Sequence, residues 1–280
     1  VRGINITTTT TSTNIYLFYN TVYLDASSSG ANFGTAALYV TASATSTTAN
    51  LTMRNNIFVN NSTANGTGFT VAYQRSSTDL ANYNSASDNN LFYAGTPSTT
   101  NLIFRDGTNN DQTLSAYKTR VAPRDANSVT ENPPFVNVTT TPYDLHIDPN
   151  TPTQIESGGI RITSPIAITT DFDNDIRALE TGYTGSGNAP DIGADEGEFT
   201  LADYSPPVIT YTPLGNTANT TTRTLSNVVI TDATGVDFTP GSRPRLYFKK
   251  STDANTYAGN TSSDNGWKWV ETNDVSSPVS

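Results

Sequence analysis

Aspartates recur at every second position in Asp171-Phe172-Asp173-Asn174-Asp175, Arg177 follows, and a second acidic run closes at Asp191-Ile192-Gly193-Ala194-Asp195-Glu196. Carboxylates spaced this way in a loop are oxygen donors of the kind a hard cation takes, so Asp171, Asp173 and Asp175 form a candidate calcium site. The spacing imitates the start of an EF-hand loop. However, Ile176 stands where that loop needs Gly, and Gly182 where it needs the bidentate Glu. The competing reading is structural: Arg177 pairs with these carboxylates or with Asp191 and Glu196 and pins a capping segment over residues 160–200. The structural reading outweighs the metal.

Other candidate groups are few. His146 is the only histidine and lies in Asp144-Leu145-His146-Ile147, which alternates over a strand length. It reads as structural, because a catalytic triad also needs a nucleophile whose placement the sequence does not show. Trp267 and Trp269 are two apart, hence on one face of an extended segment, where they form a candidate platform for sugar rings. Packing inside a β module is the stronger reading for both. No catalytic residue and no organic cofactor is nominated.

The composition says what must position these groups. Of 280 residues only 35% are hydrophobic and 14% charged, so the polar remainder is largely Thr, Ser and Asn. Those side chains compete with the backbone inside helices, and Thr suits a pleated surface, so an all-β fold is expected. Fourteen Tyr and eleven Phe supply enough bulky apolar area to argue against disorder. A net charge of −10 offers no basic stripe, which argues against a nucleic-acid partner. Zero cysteines exclude disulfides and thiolate metal sites. No transmembrane run or signal peptide is visible, and direct membrane insertion is not expected. Because Val1 already lies in strand-like sequence, the chain reads as part of a longer exported protein.

Asn20-Thr21-Val22-Tyr23, Asn55-Asn56-Ile57-Phe58 and Asn89-Asn90-Leu91-Phe92 share the form Asn-x-aliphatic-aromatic, 35 and 34 positions apart. Repeats of that length imply stacked units, none of which buries its apolar face alone. The runs are short, β-branched or aromatic, and bounded by Ser, Thr, Asn and Gly, as strands are. A parallel β-helix over residues 1–202 accommodates them better than an antiparallel sandwich, with Asn stacked on Asn at one turn of each coil. Further on, residues 112–119 suggest one helical turn, and Ile160–Ile162 and Ile166–Ile168 suggest the last strands before the acidic loop. After Asp203-Tyr204-Ser205-Pro206-Pro207 the register changes, and Val208–Tyr211, Arg223–Thr231, Arg245–Lys249 and Trp267–Val270 read as strands of an Ig-like β-sandwich. Residues 203–280 fall short of the roughly 100 such a sandwich needs, so the second domain is expected to be incomplete.

Asn89-Asn90-Leu91-Phe92-Tyr93, Pro134-Phe135-Val136-Asn137, Asp144-Leu145-His146-Ile147, the Asp171–Arg177 run and Asp191-Ile192-Gly193-Ala194-Asp195-Glu196 occur in this order. The series resembles the C-terminal part of right-handed parallel β-helix domains in large bacterial surface proteins. Many of those are exported by the type IX secretion system, and some are adhesins in gliding motility. Asp203–Tyr211 and Arg245–Ser251 resemble the Ig-like modules that follow in such chains. The resemblance implies a fold of right-handed parallel β-helix plus Ig-like module, and an extracellular location on the bacterial surface. It implies a non-enzymatic adhesin or stalk, a rigid spacer with surface polysaccharide or other cell-surface components as its partners. The alternative is the non-catalytic portion of a polysaccharide lyase or glycoside hydrolase whose active coils lie upstream. The chain lacks the adjacent Asp-Asp, Gly-His-Gly and Arg-x-Lys signatures of β-helical pectinases, and Arg120-Val121-Ala122-Pro123-Arg124 departs from the pectate-lyase pattern.

Overall fold

The computed structural model of the chain describes residues 1–7, 12–203, 207–218, 221, 223–232, 235–237, 239, 241 and 243–271. Its regular structure is nearly all β, with one short helix among the described residues. Internal contacts divide the chain into two compact units, Val1–Ala202 and Asp203–Ser280.

Unit 1 opens with nine strands in three parallel ladders. β1 (Arg2–Ile6), β4 (Thr35–Val40), β7 (Thr70–Arg75) and β9 (Asn101–Arg105) form one ladder, and β2 (Asn14–Phe18) and β5 (Asn50–Arg54) the second. The third holds β3 (Thr21–Leu24), β6 (Ile57–Asn60) and β8 (Leu91–Tyr93). The registers place Ile4 beside Leu38, then Tyr73, then Phe104, and Val22 beside Phe58, then Phe92. Like therefore stacks on like. Phe58 and Phe92 are stacked at 5.8 Å between centroids, and Tyr73 meets Phe104 edge-on at 5.3 Å. Such ring pairs contribute about 0.5–1.5 kcal/mol each beyond the area they bury.

The repeat runs one residue out of step with the sequence reading. Thr21 pairs with Ile57 and Ile57 with Leu91, so Asn20 aligns with Asn56 and Asn90, not with Asn55 and Asn89. Tyr19, Asn55 and Asn89 instead turn the corner of each coil at positive φ of 54°, 57° and 55°. Asn tolerates that left-handed region well, which explains the doubled Asn. Beside the corner, Asn20 Nδ2 donates to Asn56 Oδ1 and Asn56 Nδ2 to Asn90 Oδ1, both at 2.8 Å, and Asn90 Nδ2 donates to Asp125 Oδ1 at 2.9 Å. Asp125 is fully buried, and its other oxygen accepts the hydroxyls of Tyr83 and Tyr117. Burial raises its pKa, opposed by the hydrogen bonds from Tyr117, Tyr83, Asn90 and Ser128.

β10 (Asn110–Asp111) pairs antiparallel with β9 and ends the parallel stacking of that ladder, whereas Leu91 of β8 still forms a parallel bridge with Val129. Helix α1 (Leu114–Val121) follows, its N-terminus capped by the Thr113 hydroxyl, which accepts from the Ala116 amide. Tyr117 and Val121 drop from the helix into the core, where the Tyr117 ring lies 5.1 Å from Phe104 and 5.2 Å from Phe92. Arg120 clamps the helix to β10 through a two-pronged pair with Asp111. This helix closes the core beyond the last coil.

β11 (Phe135–Asn137) and β12 (Asp144–Ile147) pair antiparallel. Ile160–Ile162 and Ile166–Ile168, expected as strands, are irregular. The reason is local: the Asn55 side chain takes both the Ile160 amide and the Ile160 carbonyl, groups that a ladder would use, and Ile166 is exposed. Ile147, Ile155 and Ile192 then pack on Ile57, Val59 and Leu91 in a second apolar cluster.

In unit 2, β13 (Val208–Thr210) pairs antiparallel with β14 (Val229–Thr231), and β15 (Arg245–Phe248) with β16 (Lys268–Glu271). These are two separate two-stranded sheets, and Ile230 is the only buried aliphatic or aromatic side chain among the unit's described residues. Tyr204, Ser205 and Pro206 of the expected joint lie outside the described residues.

Candidate functional site

The charged residues singled out in the sequence separate into two centres. The first is built on Arg177, whose side chain is 2% exposed. Its Nη1 donates to Glu196 Oε2 at 2.9 Å, its Nη2 donates to the Gly193 and Ala194 carbonyls, and its guanidinium lies 3.8 Å over the Tyr19 ring. Glu196 Oε1 accepts the Ala178 amide and Oε2 the Asp191 amide, while the Asp191 carboxylate accepts the amides of Ser157 and Gly197. Burial, and then the neighbouring Glu196, push the Asp191 carboxyl up to about 8, against the pull of those amides. Burial also raises Glu196, with Arg177 and the two amides opposing it. Arg177, Asp191 and Glu196 therefore meet in one buried network.

That network does not sit on the end of the stack. The Gly193 amide bonds to the Asn55 carbonyl, the Ala194 amide to Thr21 Oγ1, the Tyr19 hydroxyl to the Ile160 carbonyl and Asn89 Nδ2 to the Gly158 carbonyl. These partners belong to three successive coils. Gly193 lies at a φ of 104°, and a Cβ there would come within 2.5 Å of Ile57 Cδ1. The segment is thus a strap laid along the corners of the coils, which corrects the expectation of a cap on the last coil. The reason is that α1 already closes that end, whereas the corner residues offer free amides and carbonyls along the flank.

The second centre is the acidic loop. Asp171 Oδ1 accepts the amides of Asp173 and Asp175, and Oδ2 accepts the Glu196 amide, so both oxygens serve to shape the loop. Asp171, Asp173 and Asp175 do not converge as one set of ligands. Asp173 turns instead to His146, with 2.7 Å between Oδ2 and Nε2. His146, Asp173 and Asp195 each present a ligand atom within 4.8 Å of the others, the one such group of three among the described residues. On the far side of the ring, Nδ1 lies 2.5 Å from Asp144 Oδ1. Asp173 and then Asp144 raise the His146 pKa to about 9. Asp195 is nine-tenths buried and accepts the Ile147 amide at 2.8 Å, and burial raises its pKa.

His146 is therefore a half-exposed member of a charged cluster and no buried strand residue. One sign was visible in the sequence: Asp144 and His146 are two apart on a strand, hence on one face. The approach of Asp173 and Asp195 depends on the strap and was not legible.

In unit 2, Trp269 lies on β16 and Trp267 just before it, both half-buried. The Arg245 guanidinium lies 4.0 Å over the Trp269 ring, and Lys249 Nζ is 5.7 Å from the Trp267 centroid. A cation thus covers a face of each ring on which a sugar would stack. The carboxylates of the Arg177 centre are also closed to a polysaccharide, because Asp191 and Glu196 are 1% and 5% exposed.

No family model matches the chain, and neither a curated protein nor a solved structure matches it. No helix among the described residues is long and apolar enough to cross a membrane.

Proposed function

We propose that the chain is a segment of a long bacterial cell-surface adhesin or stalk in which a right-handed parallel β-helix, residues 1–202, acts as a non-enzymatic rigid spacer. Residues 203–280 are the start of an Ig-like module in this reading, and surface polysaccharide is the partner class. The observation that carries it is the strand-for-strand parallel register, coil upon coil, with the Asn20–Asn56–Asn90 ladder bonded along it. A stack tied at a corner by buried amide bonds resists bending and local opening, and it does so without cysteines. Its outward surface is largely uncharged Thr, Ser and Asn, which keeps length soluble while limiting nonspecific ionic attraction.

The test is to incubate the purified chain with a panel of acidic and neutral polysaccharides and to follow both retention on the polymer and release of new reducing or unsaturated ends. The expected outcome is no product at any substrate, with or without retention. Product formed by the chain itself, and abolished by one carboxylate substitution, overturns the spacer reading in favour of a lyase or hydrolase.

A further inference from the structure

We propose that His146, Asp173 and Asp195 form a binding site for a divalent first-row transition ion of the zinc type, with Asp144 as the group that orients the imidazole. The site is independent of the spacer reading. It draws its ligands from three separate stretches of chain, namely β12, the acidic loop and the strap, so an ion there staples the loop to the strand.

Two features independent of the clustering point to an ion. The first is Asp195. This carboxylate is nine-tenths buried and belongs to the cluster, yet among the described residues its one hydrogen bond is the Ile147 amide on Oδ2. A buried carboxylate normally recruits several donors, and a half-engaged one has a coordination position to fill. The second is the disposition of the His146 ring. A carboxylate at Nδ1 holds that N–H in place, so an ion entering at Nε2 displaces only the Nε2 proton, the arrangement in which a histidine ligates metal through one nitrogen while its other N–H is held by a carboxylate. Nε2 then faces Asp173 at 2.7 Å. Two ligands about 2.0–2.2 Å from a tetrahedral ion stand about 3.3 Å apart, so admitting one widens this contact by about 0.6 Å.

Charge also favours a cation. Asp144, Asp173 and Asp195 bring three carboxylates to one imidazole, and even a protonated ring leaves an excess of two negative charges. Donor chemistry selects the ion. One imidazole nitrogen with two carboxylates suits zinc and its neighbours, with a fourth position open to water, whereas Ca²⁺ takes six to eight oxygens. The site thus differs from Asp171–Asp175 in both residues and metal.

A single histidine makes the test direct. The full chain is labelled with ¹⁵N, stripped with a chelator and titrated with ZnCl₂ at pH 7 while the imidazole nitrogens are observed. The expected result is a Nε2 shift that saturates at one equivalent, with Nδ1 remaining protonated. Zinc affinity should fall about 10–100-fold in Asp144→Asn, the usual loss for an outer-shell partner, and further in Asp195→Asn. Asp175→Asn should leave it unchanged. Ring resonances that zinc does not move overturn the proposal from the wild-type chain alone, whatever the variants' folding. Equal zinc binding in Asp195→Asn, or displacement of zinc by equimolar Ca²⁺, overturns it as well.

Discussion

Arg177 holds its charge where water does not reach, and the consequence follows from which partners remain if it is removed. Truncation leaves Glu196 buried among the Ala178 and Asp191 amides with no cation, and it uncaps the Gly193 and Ala194 carbonyls. Breaking a buried pair from one side costs about 3–5 kcal/mol. The two amides that still hold Glu196 set Arg177→Ala near the lower end, about 3 kcal/mol, measured as a loss in urea unfolding of unit 1. Arg161 is a useful contrast. It forms an equally well-shaped pair with Glu180, at 2.7 Å on both prongs, but from a side chain 47% exposed. Water screens this pair from the arginine side although Glu180 itself is only 5% exposed, so Arg161→Ala should cost clearly less than Arg177→Ala. Equal losses at the two sites would show that burial does not govern the strap.

Asp191 makes the same region sensitive to pH in a defined direction. In the unfolded chain an aspartate releases its proton near 3.9, whereas here the carboxyl keeps it up to about 8. Between those values the unfolded state binds fewer protons, so stability falls as pH rises from about 4 to 8 and is regained on acidification. The slope from one such group is at most about 1.4 kcal/mol per pH unit. Urea midpoints from pH 5 to pH 8 should decline in the wild type, and Asp191→Asn should flatten the decline by up to that amount. A parallel decline in the variant would assign the slope to other groups.

Among the elements, the asparagine ladder separates what was legible in the sequence from what was not. The period, the strands β3, β6 and β8 and the stacking of Asn on Asn followed from short apolar runs punctuated by Asn, whereas β2, β5 and β9 were not read. The register did not follow, because each doubled Asn offers two equivalent alignments, and Tyr19 occupies the corner that Asn fills in later coils. The strap was hidden for a related reason. Its bonds run from backbone groups to Asn55, Asn89 and Thr21, and no residue pattern marks a backbone acceptor. The helix reads in sequence as a single turn, although Tyr117 and Val121 carry the closure of the core. Position in the ladder now predicts effect. Asn56 is buried and bonds on both sides, and it also donates to the Leu17 and Arg54 carbonyls, whereas Asn20 is the outermost rung. Asn56→Ala strands several buried partners at about 1–3 kcal/mol each and should cost more than 2 kcal/mol, against about 1 kcal/mol for Asn20→Ala. Denaturant unfolding of the two variants decides the order, and a larger loss at Asn20 would place the keystone of the ladder at its open end.

At the scale of the whole molecule, the two units differ in what holds each together. Unit 1 buries stacked rings, an aliphatic cluster under the strap and a continuous amide ladder. In unit 2 every residue of β13 and of β15 is exposed, and Ile230 is the lone buried aliphatic or aromatic side chain among the described residues. Two-stranded sheets without an apolar face to cover them are marginal in water. Burial of apolar area at about 25 cal/mol per Å² is the main term opposing chain entropy, so the second unit has little to offset its ordering. Amide exchange should therefore divide the chain at the boundary near Ala202. The amides of β4 and β7 should exchange through global unfolding of unit 1, orders of magnitude more slowly than those of β15 and β16, which should open locally. A fragment of residues 1–202 should melt at the temperature of the main transition of the full chain. If the fragment melts well below it, or if β15 is protected as strongly as β7, the second unit shares the cooperativity of the first and the two unfold together.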